Sequence, residues 1–389
     1  MTAVTGPAAS AVDLLLLGRS SDPGSERGVS CPGELPAASS PDLVDRARAA
    51  KQALGEQLFV LGHHYQRDEV IQFADVTGDS FKLARDAAGR PGARYIVFCG
   101  VHFMAESADI LTGADQQVIL PDLAAGCSMA DMAGIGQVED AWDELVDAGV
   151  ADGTVPVTYM NSTAAIKAFT GVHGGTVCTS SNAERALRWA FEQGERVLFM
   201  PDQHLGRNTA VLKLGLDLSD CVVYDPHKPG GGLTAAQLRA ARMVLWRGHC
   251  SVHGRFSVSS VNEVRARIPD VNVLVHPECR HDVVTAADAV GSTEMIIATL
   301  DAAPSGSAWA VGTELNLVRR LAGAHPDKRI VFLDKSVCYC STMNRIDLPH
   351  LVWALESLQA GAVVGRIQVD EKVARWARVG LDRMLTLPG

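Results

Sequence analysis

Aromatic residues are scarce in this 389-residue chain, at 5% for Phe, Trp and Tyr together. Long apolar runs are missing too. The longest near the N-terminus is Leu14–Leu17, far short of the roughly 18–20 residues that a membrane helix needs. Asp13 but no Lys or Arg precedes that run, so it does not read as an export signal. No basic cluster or aromatic-interleaved basic stripe is present, and Lys+Arg 35 against Asp+Glu 45 gives a net charge of −10, which argues against a nucleic-acid surface. Closely spaced cysteine pairs of the C-x2-C kind are absent, as are H-E-x-x-H and the Gly-Lys-Ser/Thr ending of a Walker phosphate loop. The nine cysteines (31, 99, 127, 178, 221, 250, 279, 338 and 340) are an odd number spread through a large chain without an export signal. They read as reduced thiols or metal ligands in a cytoplasm, not as disulfides.

What the chain does contain is Ala, Val and Leu within a 47% hydrophobic composition, the usual material of helix-covered parallel sheets. At roughly 100–200 residues per domain the length suits two to four domains. Residues 1–40, rich in Ala, Ser, Gly and Pro, read as a mobile tail carrying an exposed Cys31. A helical pattern starts at Pro41, with Asp42 as a first-turn acid. Nine short apolar strands then alternate with helical stretches, at 57–64, 94–100, 117–122, 155–161, 175–180, 196–202, 271–278, 307–314 and 329–334. This predicts parallel α/β architecture, whose ligand groups gather at the carboxyl ends of strands.

An internal repeat emerges when the starts at 60, 157 and 274 are aligned. Each has a strand ending at His63, Asn161 or His276, a helix, and a Ser/Thr element at Ser80, Thr179-Ser180 or Ser292-Thr293. Next comes a strand ending near Glu106, Asp202 or Glu314, and finally a cysteine. His63 to Cys127 and His276 to Cys340 are each 64 residues; Asn161 to Cys250 is 89, lengthened by the segment around 225–243. The repeat predicts three related three-strand units facing a common centre. By spacing alone, the three cysteines fit a cluster with one iron free of protein ligands, a zinc site, or uncoordinated core thiols.

The strings LGHHYQRDEV, GDSFKLAR, VFCGVHFMAESADIL, LPDLAAGCSMADM, VTYMNSTAAIKA, VCTSSNA, FMPDQHLGRNTA, WRGHCSVHGRF, HPECRHDVV, VGSTEMI and CSTMNRIDLPHLVWALE, in order from about residue 56 to 360, resemble the quinolinate synthase family. The resemblance implies three pseudo-threefold-related α/β/α domains around one 4Fe-4S cluster. It also implies condensation of iminoaspartate with dihydroxyacetone phosphate to quinolinate, phosphate and two waters in NAD biosynthesis. On the motifs, the cluster ligands are Cys127, Cys250 and Cys340, the last chosen over Cys338 because it stands three residues before Met343. Cys279 is not implied as a ligand, and Cys99 and Cys178 read as core thiols. The implied pocket residues are His63, Tyr65, Ser80, Tyr159, Asn161, Ser180, His253, His276, Glu278, Ser292 and Thr293.

Both implied substrates are anions, while none of these candidates is Lys or Arg, so neutral donors and helix N-termini must bind them. Glu278 is read as general acid/base, His276 as its orienting or binding partner, and Tyr65 as a donor or a shield of the open iron. His253 is open between a partner of a cluster sulfur and a substrate ligand. His64, His102 and His204 read as ordinary strand-end residues, and Gly230–Gly232 as a linker in preference to a lid hinge or phosphate loop. The expected division is 1–40 tail, 41–140, 141–255 and 256–350 domains, and 351–389 C-terminal helices packing back. A monomer or homodimer is expected, with possible contact to L-aspartate oxidase and no nucleic-acid or membrane partner. The competing readings are another metal-dependent lyase or hydrolase using His63, His276 and Glu278, and a non-enzymatic iron–sulfur sensor.

Overall fold

The computed structural model describes residues 35–335 and 339–387. Most of the expected tail with Cys31, and Cys338, lie outside the described residues. Leu35, placed in the tail by composition, packs against the main core. Asp42 stands at the N-cap of the helix Leu43–Leu54 without a side-chain cap, and the helix turns Leu43, Ala47, Ala50 and Leu54 inward, the i, i+4, i+7 spacing of one buried face.

Three sheets follow one another along the chain. The first contains β1 (Leu58–His63), β2 (Val76–Gly78), β3 (Tyr95–Cys99) and β4 (Gln117–Ile119), in the order β4-β3-β1-β2. The second contains β5 (Thr154–Tyr159), β6 (Thr176–Cys178), β7 (Arg196–Met200), β8 (Cys221–Tyr224) and β9 (Met243–Trp246), in the order β6-β5-β7-β9-β8. The third contains β10 (Asn272–Val275), β11 (Ala289–Val290), β12 (Ala308–Gly312) and β13 (Arg329–Phe332), in the order β11-β10-β12-β13. Their pairings are all parallel. Setting β8 aside, each sheet is a four-strand set in which the second strand lies outside the first and the third and fourth lie on its other flank. We call each sheet with its helices a unit.

The repeat is therefore real but has four strands per unit, not three. β2 and β11 are three and two residues long, too short for periodicity to register. β8 and β9 flank the 225–243 segment that lengthens the middle unit, and neither is among the nine expected strands. The central strands are buried along their whole length, which is why they read as continuous apolar runs instead of alternating ones.

The Gly230–Gly232 stretch is an ordered turn of the second unit, and all three glycines have left-handed φ. The Gly230 N–H donates to Glu144, and a side chain at Gly231 would strike the Tyr224 ring. The chain's end closes the molecule. β14 (Arg366–Ile367) adds antiparallel to β4, and Glu356 on the helix Leu348–Gln359 accepts two 2.7 Å hydrogen bonds from Arg46. The helix Glu371–Thr386 lies on the helix Ala164–Val172 and on β6.

That last contact is set by glycine: a methyl at Gly171 would run into the Trp376 carbonyl. Gly171→Ala should lower the thermal midpoint by the equivalent of about 1–3 kcal/mol, the usual cost of overpacking, and speed proteolysis of the C-terminal helix. Gly323→Ala, on an exposed helix with open space around its Cα, should leave the midpoint unchanged or raise it.

Candidate active site

The first strand of each unit leads into a pair of residues two apart, at its last residue or in the turn that follows. The pairs are His63 and Tyr65, Tyr159 and Asn161, and His276 and Glu278, and all six line one cavity. Units one and three repeat even the local bond. The Tyr65 N–H donates to His63 Nδ1 at 3.1 Å, and the Glu278 N–H donates to His276 Nδ1 at 3.3 Å. Two of the chain's five tyrosines are thus at the centre of the cavity.

Hydroxyls at helix starts form a second tier. Ser80 and Thr293 are the first residues of the helices Ser80–Ala88 and Thr293–Ala302, and both line the cavity. Capping is done by the residue before each: Asp79 accepts from the Lys82 N–H, and Ser292 accepts from the Met295 N–H. Ser292 therefore has its hydroxyl committed to the cap and does not line the cavity. Ser180 lines it with Thr179, and their helix starts later, after Asn182.

The cysteines form a third tier. Cys127, Cys250 and Cys340 follow β4, β9 and β13, the last strands of the three sets, and line the same cavity. Each opens a one-turn helix: the N–H groups of Asp131, Gly254 and Asn344 donate to the carbonyls of Cys127, Cys250 and Cys340 at 3.2, 2.9 and 3.0 Å. Each sulfur also accepts backbone N–H bonds from the same turn, from Met129 and Ala130, from His253, and from Thr342 and Met343. All three turns begin Cys-Ser, at 127–128, 250–251 and 340–341, a repeated signal that the spacing argument passed over. Burial is the main reason all three thiols titrate high, Cys127 at about 12, and their mutual proximity adds to it for Cys127 and Cys250. Cys99, Cys178 and Cys279 are buried outside this cavity.

One carboxylate links the tiers. Glu278, 3% exposed, accepts 2.5 Å from the Tyr159 hydroxyl at one oxygen and 3.0 Å from His253 Nδ1 at the other. Burial alone would raise its pKa, but His253, His276 and Tyr159 outweigh that and hold it at about 2. His276 stacks on His253 at 4.4 Å, and burial with that neighbour drives its pKa down to about 3. His63 falls to about 3 as well, through burial, His64 and Arg320. The Tyr65 hydroxyl lies 3.0 Å from Thr293 Oγ1 and 2.9 Å from Thr313 Oγ1, and burial raises its pKa well above 10.

Two overlapping donor sets could hold a metal. One is the cysteine triad; the other is Cys250, His253 and Glu278, whose ligand atoms lie within 4.8 Å of one another. In the second set His253 and Glu278 are already hydrogen-bonded to each other, whereas the three cysteine turns leave their sulfurs facing the cavity.

Of the candidate residues, all but Ser292 meet in the cavity. Among the described residues no Lys or Arg lines it, and Lys167, within the VTYMNSTAAIKA string, is fully buried with its Nζ 2.5 Å from the Ser162 carbonyl. Thr313 escaped the sequence reading. His64 bridges units one and three through Glu294 at 2.9 Å. Glu314 and Asp202 cap the helices that follow their strands, whereas Glu106 reaches across to the Ala164 N–H of the next unit.

Residues 45–386 match the family model described as quinolinate synthetase A protein, NadA. The chain is 74% identical over 377 residues to the quinolinate synthase of Streptomyces coelicolor, covering 96% of each chain. It is 57% identical over 347 residues to that of Geobacillus kaustophilus, covering 89% of this chain and 94% of the other. With that of Corynebacterium glutamicum it shares 56% over 356 residues, covering 92% and 90%. A family match across nearly the whole chain, with the threefold cavity it encloses, makes this chain a member of the quinolinate synthetase A family.

Proposed function

We propose that this chain is a quinolinate synthase that condenses iminoaspartate with dihydroxyacetone phosphate, releasing phosphate and two waters, and that Cys127, Cys250 and Cys340 hold one 4Fe-4S cluster. The observation that carries the reading is the convergence of three equivalent Cys-Ser turns on one cavity whose remaining wall is the three strand-end pairs. Three ligands leave one iron without a protein donor, and when bound such an iron supplies a Lewis acid toward a substrate oxygen. The division into 41–140, 141–255 and 256–350, with 351–389 packing back, gives each unit one cysteine turn, although the limits at 140 and 350 fall inside the helices Ile135–Asp147 and Leu348–Gln359. A cytoplasmic setting, with iminoaspartate supplied by L-aspartate oxidase, belongs to the same reading; no helix among the described residues is long and apolar enough to cross a membrane.

The chain's own groups divide the remaining work. Ser80 and Thr293, each the first residue of a helix, and Ser180, two residues before an N-cap, bind phosphate and carboxylate oxygens without a formal positive charge. His63 and His276 are neutral at physiological pH and act as hydrogen-bonding and orienting groups. Asn161 adds an amide beside Tyr159. Glu278 is ionised and accepts a proton from the substrate at its carboxylate, so it begins the cycle as a base. The Tyr65 hydroxyl, protonated throughout the working range, donates to a substrate oxygen.

The Cys250–His253–Glu278 group favours a second reading, a mononuclear metal site. Metal analysis separates the two. Anaerobically purified protein should carry four irons and matching sulfide if the cluster reading is right, and Cys127→Ala, Cys250→Ala and Cys340→Ala should each lose iron, colour and quinolinate formation. Zinc or a single iron retained by Cys127→Ala and Cys340→Ala would support the mononuclear site. Glu278→Gln should keep the cluster and lower kcat by about a hundredfold or more, the scale of a lost general base.

The buried histidines make stability depend on pH. The native pKa of His63 and His276 lies near 3 against an ordinary 6.5, so between those values the unfolded chain binds protons that the native chain does not. Stability from this source is complete above pH 6.5 and drains away as pH falls toward 3. Glu278, held near 2 against 4.5, adds a loss of the same sign at lower pH. Asp202 and Glu314, both raised by burial, act with the opposite sign below about pH 7, so the histidine part is read as a difference. The thermal midpoint of the wild type minus that of His276→Gln should be level from about pH 7 to 8 and fall from about pH 6.5 downward.

A further inference from the structure

Thr313 follows β12 and is completely buried. Its hydroxyl is nonetheless the meeting point of all three units: Oγ1 lies 2.9 Å from the Tyr65 hydroxyl of the first and 3.2 Å from His253 Nε2 of the second. His253 continues through Nδ1 to Glu278, which also receives the Tyr159 hydroxyl. Thr313 is thus the middle link of a continuous chain, Tyr65–Thr313–His253–Glu278.

The direction of that chain follows from donor counting. A carboxylate only accepts, so His253 donates from Nδ1, and in the singly protonated ring Nε2 is then the acceptor. Thr313, with one proton, gives it to Nε2 and has a lone pair left for the Tyr65 O–H. Tyr65 in turn accepts from Thr293. A valine of the same shape would fill the space Thr313 occupies but would leave Nε2 a buried acceptor without a partner.

We propose that Thr313 is a positioning residue that fixes the tautomer of His253 and the aim of the Tyr65 hydroxyl together. This rests on the function proposed above. Thr313 holds His253 with Nδ1–H toward Glu278, which keeps that carboxylate ionised as the base. It also holds the Tyr65 O–H at the cavity wall, from which the hydroxyl turns to a substrate oxygen as donor. One hydroxyl thereby sets both the base and the donor.

The test uses the holoenzyme under anaerobic conditions, with Thr313→Val, Thr313→Ala and Thr313→Ser beside the wild type. Both hydroxyl-less variants should lose about tenfold or more in kcat with KM nearly unchanged and iron and sulfide equal to wild type, while Thr313→Ser keeps most of the activity. The solvent deuterium isotope effect on kcat should change in the first two and stay at the wild-type value in Thr313→Ser. Thr313→Ala gives the answer should the valine variant fail to fold. A smaller loss in either hydroxyl-less variant, or a serine variant as impaired as they are, overturns the positioning role and leaves Thr313 a packing residue. Failure of the wild type to form quinolinate overturns the functional reading and this inference with it, whereas an active wild type with indifferent variants overturns this inference alone.

Discussion

The arrangement of the units depends on how one buried negative charge is satisfied. An ionised carboxylate as enclosed as Glu278 costs several kcal/mol unless it is hydrogen-bonded and paired. Its partners, Tyr159 and His253, come from the second unit, whereas Glu278 belongs to the third. The charge is tolerable only when those units are in register, and Tyr65 of the first is tied to the same chain through Thr313. Asp202 shows what happens without such partners. One of its oxygens accepts the His204 and Leu205 N–H groups, the other has none, and burial drives its pKa well above the ordinary range. Two buried carboxyls a short way apart thus take opposite charge states, decided by their partners.

Threefold repetition explains how such a centre is assembled. Parallel strands gather functional groups at their carboxyl edges, and three copies of one four-strand set turned inward provide three strand-end pairs and three cysteine turns. The seams between copies are not equivalent, however. Units one and three are stitched by Arg320, which donates to the carbonyls of His64 and Gln66 and to Asp68, by Asn316 on the Tyr65 carbonyl, and by the 2.8 Å ion pair of Arg345 with Asp122. That last pair ties the approach to Cys127 to the turn of Cys340. The second unit is engaged differently, through Glu278, through Asn208 donating to the Pro277 and Cys279 carbonyls, and through the C-terminal helix.

Much of this was legible in the chain itself. The nine expected strands, β1, β3 to β7, β10, β12 and β13, were marked by short apolar runs, whereas the four-residue β8 and β9 on either side of the middle insertion were missed. The strand-end groups His63, Asn161 and His276 and the terminal cysteines followed from their order along the repeat. What escaped did so for physical reasons. β2 and β11 are held by their neighbours and have no length over which to show a pattern. Spacing alone does not tell which residue at a helix start caps it; Asp79 accepts the Lys82 N–H, which frees Ser80 for the cavity. The Gly230–Gly232 stretch looked like a linker because composition cannot reveal that its left-handed turns fit against Tyr224. Thr313 was invisible because a threonine after a strand is ordinary, and its importance lies in two partners that come from 60 and 248 residues away.

The charge inventory of the cavity completes the argument. Among the described residues no Lys or Arg lines it, and its resident charge is the carboxylate of Glu278 alongside Asp79, whose oxygens are engaged by Lys82 and Ser181. Adding three thiolates to such a wall would concentrate negative charge in a poorly screened space, and the thiols accordingly hold their protons. On the proposed reading, cations are what make the cysteines ligands: metal binding must displace three protons, and the site is built in the folded chain to favour that exchange, with backbone N–H groups already aimed at each sulfur. The same shortage of fixed positive charge leaves anionic substrates to neutral hydroxyls, neutral imidazoles and helix N-termini. Those donors orient carboxylate and phosphate by direction instead of by net charge.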